Sequence, residues 1–183
     1  MHKNKEIEFK TFITEAQYSF LLKEFELENN VFPQTNFYFD TEDSKLLQDK
    51  TVLRIRQKGN NFKLTKKTRA ELGADETHLL LSKDHALELL ETGFDAKIIG
   101  IPYFVKNVAS LTTHRASTPY KNGTLFLDKS VYYGNVDYEI EYEVDDINQG
   151  LADFKSFLAK YNIEYKESIR KSKRAFDGRD QQK

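Results

Sequence analysis

The chain has 183 residues, room for one ordinary domain spanning 1–183, and 39% of it is apolar, enough for a real core. Cysteine is absent, which excludes disulfides, thiolate zinc sites and cysteine nucleophiles and leaves oxygen or imidazole to hold any metal. The 28 basic and 29 acidic residues leave a formal charge of -1, which speaks against a nucleic-acid binder that relies on bulk positive field. No apolar run is long enough to span a bilayer, and the N-terminal MHKNKEIEF lacks the apolar stretch of a secretory signal. A cytoplasmic location without membrane contact is expected.

Residues 5–13 alternate charged with apolar, as a strand does, and stop at Thr14. Thr14 and Gln17 form a capping box for a helix running to about Asn29, with Tyr18, Leu21, Leu22 and Phe25 as its buried stripe. Three consecutive antiparallel strands follow at Thr35–Asp40, Thr51–Gln57 and Phe62–Thr68, the last two joined by Lys58-Gly59-Asn60-Asn61. Glu76–Leu81 is a further strand, and Ser82 caps a helix to about Thr92. Pro102 in a first turn predicts a short helix over Pro102–Ala109. Leu111–Pro119 and Thr124–Lys129 flank the hairpin signal Asn122-Gly123, and Gly134-Asn135 turns Val131–Tyr133 into Val136–Val144. Apolar residues at helical spacing mark a helix over 148–161, and a last helix is expected from Ile169 to Phe176. That is about eight strands, mostly joined by hairpins.

Residues two apart on a strand share a face, roughly 6–7 Å from one another. Glu6, Glu8 and Lys10 therefore oppose Ile7 and Phe9, and Arg54 and Arg56 oppose Leu53 and Ile55. Lys63, Thr65 and Lys67 oppose Phe62 and Leu64, while Glu139, Glu141 and Glu143 oppose Tyr138, Ile140, Tyr142 and Val144. One such strand is ordinarily the wet face of a half-buried sheet. Four together differ, because the signs are segregated by strand and like charges stacked on one face repel. A closed barrel with these faces inward would hold an acidic wall and a basic wall. Carboxylates suit a hard cation such as Mg²⁺ or Mn²⁺, and arginines with lysines suit phosphate oxygens. A metal-bound polyphosphate would satisfy both walls.

In these residues the sequence resembles the CYTH superfamily, the triphosphate tunnel metalloenzymes, and especially its bacterial branch. The resemblance runs along nearly the whole chain: the opening E-x-E-x-K at Glu6, Glu8 and Lys10, then Tyr38-Phe39-Asp40, Leu53-Arg54-Ile55-Arg56, and the lysine strand ending at Lys67. Glu76, Arg115, Asp128, Glu139-Ile140-Glu141 and a C-terminal lysine complete the set, best matched by Lys171, with Lys173 as the other candidate. The resemblance implies an α+β fold, an eight-stranded antiparallel barrel with helices packed outside, that binds triphosphate with a divalent metal.

From it follow metal roles for Glu6, Glu8, Glu139 and Glu141, with Glu76 and Asp128 as further candidates. Triphosphate contacts fall to Lys10, Arg54, Arg56, Lys63, Lys67, Arg115 and Lys171, and the catalytic set is Glu6, Glu8, Lys10, Arg54, Arg56 and Lys67. The expected reaction is phosphoryl transfer to water from a small-molecule triphosphate, inorganic triphosphate first and thiamine or nucleoside triphosphates as alternatives. Adenylate cyclisation, as in class IV-type cyclases, and a non-catalytic polyphosphate- or nucleotide-binding module remain alternative readings. A homodimer is compatible with the sequence, and no nucleic-acid partner is expected. His78 and His114 receive no role, and Phe37, Phe39, Tyr132, Tyr133, Tyr138 and Tyr142 are taken for barrel exterior and helix packing.

Overall fold

A computed structural model describes residues 1–183. The period-two alternation of the sequence becomes eight long strands: β1 (His2–Ile13), β2 (Phe32–Asp40), β3 (Thr51–Lys58), β4 (Asn61–Arg69), β5 (Ala74–Leu81), β7 (Phe104–Tyr120), β8 (Gly123–Tyr132) and β9 (Asn135–Val144). All pair antiparallel in the order β2-β3-β4-β5-β1-β9-β8-β7, and pairing of β2 with β7 closes the barrel. A two-residue strand, β6 (Phe94–Asp95), adds to the outside of β7.

The apolar members of each alternating strand point outward and are covered by helices, so the cores lie outside the barrel. On one side α1 (Glu15–Glu24) and α4 (Ile147–Lys160) bury Tyr18, Leu21, Phe154 and Phe157 against Ile7, Leu127, Ile140 and Tyr142. On another, α2 (Lys45–Gln48) and α3 (Lys83–Thr92) place Leu46, Ala86 and Leu89 over Phe39, Leu53, Ile55 and Leu64. The last helix, α5 (Lys171–Gln181), differs: Ala175 and Phe176 pack on Tyr38, Ala109 and Leu111. Tyr38 shares the face of Gln34 and Asn36, so α5 closes one end of the barrel interior.

The structure departs from the sequence reading in several places. Pro102–Ala109 is not a helix. The only helical turn nearby is Ala96–Ile99, and β7 begins at Phe104 because Phe104 and Val105 pair with β6 while Lys106–Ala109 pair with β2. The first helix stops at Glu24 rather than near Asn29, since Glu26 takes a left-handed φ of 55°. Thr124–Lys129 and Val131–Tyr132 belong to one strand, with Tyr133 in the turn beyond it, and the last helix starts at Lys171, not Ile169, and runs to Gln181. Tyr132 shares the inner parity of Asp128 and packs with α5, so it does not belong to the barrel exterior. The capping box at Thr14 and Gln17 forms as expected.

Asn122-Gly123 does mark a hairpin, but Gly123 lies on the strand and pairs with Tyr120, leaving Lys121 and Asn122 as the loop. Its hydrogen serves a close approach instead: a Cβ there would lie 2.5 Å from the Glu143 carbonyl oxygen and 2.7 Å from the Tyr142 ring. Gly73 is held more strictly. Its φ is +75°, and a Cβ would fall 2.1 Å from the carbonyl oxygen of Glu6, on backbone that no rotamer change can move. Gly73→Ala is expected to lower unfolding stability by about 2–4 kcal/mol, combining left-handed strain with overpacking. Urea titrations of the two proteins check this.

Candidate functional site

The inward faces of the strands enclose one cavity of about 1350 Å³, lined mostly by polar side chains. Glu6, Glu8, Lys10, Arg54, Arg56, Lys63, Lys67, Glu76, Arg115, Glu141 and Lys171 all reach it, from every barrel strand except β2 and β8 together with the start of α5. Asp128 and Glu139 share the inward parity but are buried behind this lining. The expected residues therefore converge, and the charges sort into two groups.

The first group is deep. Asp128, Glu139 and Glu141 bring carboxylate oxygens within 4.8 Å of one another, all buried. Lys171 places its amine against all three, 2.9 Å from Asp128. Arg115 grips Asp128 with both Nε (2.8 Å) and Nη2 (2.6 Å) and reaches Glu141 at 2.5 Å. Arg174 pairs with Glu139 and, at 3.1 Å, with Asp137. Three carboxylates thus face three cations, near neutrality as a buried cluster requires. Burial pushes the Glu141 carboxyl up, but Lys171 and Arg115 outweigh it and hold it well below the usual range. Burial dominates at Glu139, whose carboxyl is pushed up to about 7 although Lys171 opposes the shift. Lys173, the alternative C-terminal lysine, points away from the cavity and pairs with Asp177 at 2.7 Å.

The second group is nearer the cavity space. Lys67 pairs with Glu6 and lies 3.6 Å from Glu8 and 3.8 Å from Glu76. Lys10 reaches Glu8 at 3.5 Å, and Arg54 comes only to 3.9 Å from Glu76. Glu76 Oε1 is buried without a hydrogen-bond partner. Apart from the close Lys67–Glu6 pair, these contacts are longer and less complete than those of the deep group. Glu143 lines the cavity without a cation partner, and burial with Glu6, Glu8 and Glu76 nearby pushes its carboxyl up.

Basic side chains on β3 and β4 are likewise unmatched. Arg56 has no carboxylate partner, and its Nε donates to the Asn36 carboxamide at 2.9 Å. Burial, then Arg54 and Arg115, bring its pKa down to about 9. Burial, then Arg56 and Arg54, lower Lys63 in the same way. By contrast Lys67, also depressed by burial, is raised overall by Glu8 and Glu6. Where a cation is destabilised it lacks an anion, and the cavity has two such groups side by side, Arg56 and Lys63.

Several lining residues escaped the charge pattern. Gln34 and Tyr38 line the cavity from β2; Asn36 faces inward between them, buried behind the lining, and is missed because a neutral amide carries no sign to sort. His78, given no role from sequence, stands on the cavity wall with Nδ1 3.0 Å from Thr65 Oγ1 and Nε2 3.2 Å from Glu76. Its spacing of two from Glu76 on a strand could have placed it there. Asp40, part of the quoted motif, serves structure: its carboxylate accepts from the backbone N–H of Thr41, Leu46 and Leu47, fixing the turn into α2.

A closed antiparallel barrel with segregated charge inside and apolar cores outside defines a tunnel fold. The CYTH domain model matches residues 4–176, and the chain belongs to the CYTH domain family. It is 34% identical over 193 aligned positions, covering 97% of each chain, to a Bacillus subtilis protein named "Putative triphosphatase YjbK". A Bacillus halodurans crystal structure described as a "putative adenylate cyclase" is 33% identical, with a TM-score of 0.88 over 96% of this chain and all of that one. The Hippeastrum protein HpAC1, described as a "putative adenylyl cyclase" with a dominant triphosphatase activity, shares the fold at 22% identity, with a TM-score of 0.72 over 94% of this chain and 95% of that one. No helix is long and apolar enough to cross a membrane.

The Glu139 environment predicts a pH effect on stability. A carboxyl raised from 4.5 to about 7 favours the folded state below pH 4.5, and that contribution is lost as pH rises through 7. Glu139→Gln leaves Lys171 and Arg174 short of a carboxylate at either pH, but, fixed in the neutral form, it should lose less stability than the parent between pH 5 and pH 8.5. Urea denaturation at the two pH values, with chelator present, measures the difference.

Proposed function

We propose that this protein is a divalent-metal-dependent triphosphatase that cleaves a phosphoanhydride bond of a linear triphosphate held in the barrel. The observation that carries the proposal is the pair of unmatched cations Arg56 and Lys63, beside Arg54 with its single distant carboxylate, facing carboxylates in the same cavity. A chain of phosphate oxygens completes the patch: arginines offer paired N–H donors, and Lys10, Lys63 and Lys67 act as point charges. The name of the Bacillus subtilis relative points the same way. Inorganic triphosphate is the leading substrate, with thiamine and nucleoside triphosphates next.

The donor set fits Mg²⁺ or Mn²⁺, since it consists of carboxylate oxygens and includes one buried oxygen, Glu76 Oε1, with no hydrogen bond. Glu8 and Glu76 would hold the ion most readily, joined by Glu6 where Lys67 turns to the phosphates, because Lys171 and Arg115 engage Asp128, Glu139 and Glu141 more completely. The ion supplies positive charge against the phosphate oxygens and a lowered pKa for the attacking water. The protein's own side chains align the phosphate chain, spread its developing charge over Arg54, Arg56 and Lys67, and exclude bulk water from the buried end under α5. A cytoplasmic setting belongs to the same proposal, supported by a chain without cysteine.

A second reading, cyclisation of ATP, is favoured by the description of the Bacillus halodurans relative. One assay separates the two: phosphate release from inorganic triphosphate, thiamine triphosphate and ATP with Mg²⁺, Mn²⁺ or chelator, with nucleotide products resolved by chromatography. Fast release from inorganic triphosphate that stops in chelator is expected. Glu6→Ala and Arg54→Ala should each lower kcat/KM by about 10²–10³-fold. Release that persists in chelator would remove the metal from the proposal, and cyclic AMP as the main product would replace hydrolysis with the second reading.

A further inference from the structure

The arginines inside the barrel differ in what holds them. Arg115 and Arg174 are gripped by carboxylates, and Arg54 approaches one at 3.9 Å. Arg56 is held by a neutral group, the Asn36 carboxamide. Asn36 stands opposite Arg56 in the β2–β3 register and is fully buried. Since its Oδ1 accepts from Arg56 Nε, the amide nitrogen is the group left over, and that nitrogen has no hydrogen-bond partner.

It is not alone. Gln34, two residues earlier on the same face, lines the cavity with a buried amide nitrogen that is also unpartnered, and Arg54 Nε is a third. Three buried donors on two adjacent strands lack acceptors, on the wall where Arg56 and Lys63 lack anions. Buried polar groups are otherwise almost always matched. Unmet donors of one polarity, gathered on one wall, describe an anion site.

The choice of amide over acid has a physical reason. An aspartate at position 36 would accept the same N–H bond but would also cancel the charge of Arg56. Asparagine fixes the plane of the guanidinium and leaves its charge for the ligand. We infer that Asn36 is a positioning residue of the anion site: it aims Arg56 at a phosphate oxygen without neutralising it, while Gln34 adds an uncharged N–H donor to that wall. The inference rests on the triphosphate reading above and names a new part of its site.

The test combines kinetics on inorganic triphosphate with Mg²⁺ and nitrogen-15 NMR of the arginine Nε–H groups in the full chain. Asn36→Asp should raise KM by roughly 10- to 100-fold, the loss of one charge-assisted contact, with the larger share of the damage in KM rather than kcat. Its melting temperature should equal or exceed that of the parent, which separates the effect from misfolding. Asn36→Ala should weaken binding less, and should add no further loss in an Arg56→Ala background. The Arg56 Nε–H resonance, identified by its loss in Arg56→Lys, should be protected from exchange in the parent and in Asn36→Asp, and exposed in Asn36→Ala. An unchanged KM in Asn36→Asp, or equal losses from Asn36→Ala with and without Arg56, overturns the inference. If the parent protein cleaves no triphosphate, the functional reading fails on its own. The NMR result then decides whether Asn36 holds Arg56, and an unprotected Nε–H in the parent sinks that claim too.

Discussion

Charges that face the inside of a closed barrel must find partners there, because the strands shield them from bulk water. Most features of this molecule answer that constraint. Deep in the barrel it is met internally: Lys171, Arg115 and Arg174 match Asp128, Glu139 and Glu141. Nearer the open space it is met only in part: beyond the close Lys67–Glu6 pair the contacts lengthen to 3.5–3.9 Å, and Arg56 and Lys63 are unmatched. The gradient from complete to incomplete pairing separates what holds the protein together from the groups that the proposed triphosphate would complete.

The same constraint explains the last helix. Lys171 and Arg174 lie three residues apart on α5, so one helix face delivers both cations to the deep carboxylates. Ala175 and Phe176 beside them contact Tyr38 and Leu111, the only apolar packing inside the barrel. Electrostatic matching and apolar closure therefore depend on one short segment near the end of the chain. Its entry is set by the preceding extended stretch, where Thr11 Oγ1 meets the backbone of Lys166 in both directions.

The barrel and most of its charged lining were legible in the sequence because a period of two is unambiguous when signs are segregated by strand. Glu6, Glu8 and Lys10 could be placed on one face from three letters, and Glu139 with Glu141 from two. Where no periodicity speaks, the outcome differed: Pro102 suggested a helix at a place where pairing with β2 and β6 draws the chain into a strand. Pairing between distant segments was also hidden. No local pattern says that Lys171 will sit among Asp128, Glu139 and Glu141, or that Arg56 will meet an amide from β2 rather than an acid. Gly123 was legible as a hairpin marker, but its close approach to Tyr142 depends on a strand that comes later in the chain.

Placing both large cores outside the barrel has an evolutionary consequence. Along β1, β3, β4 and β9, residues of one parity contact helices and set stability, while their immediate neighbours contact the cavity and set chemistry. Adjacent codons therefore answer to different selection. The lining can drift toward a new ligand while the packing beneath α1, α3 and α4 stays as it is. One architecture can thus carry many specificities without being rebuilt, and the sites least free to drift are those under α5, where lining and packing meet.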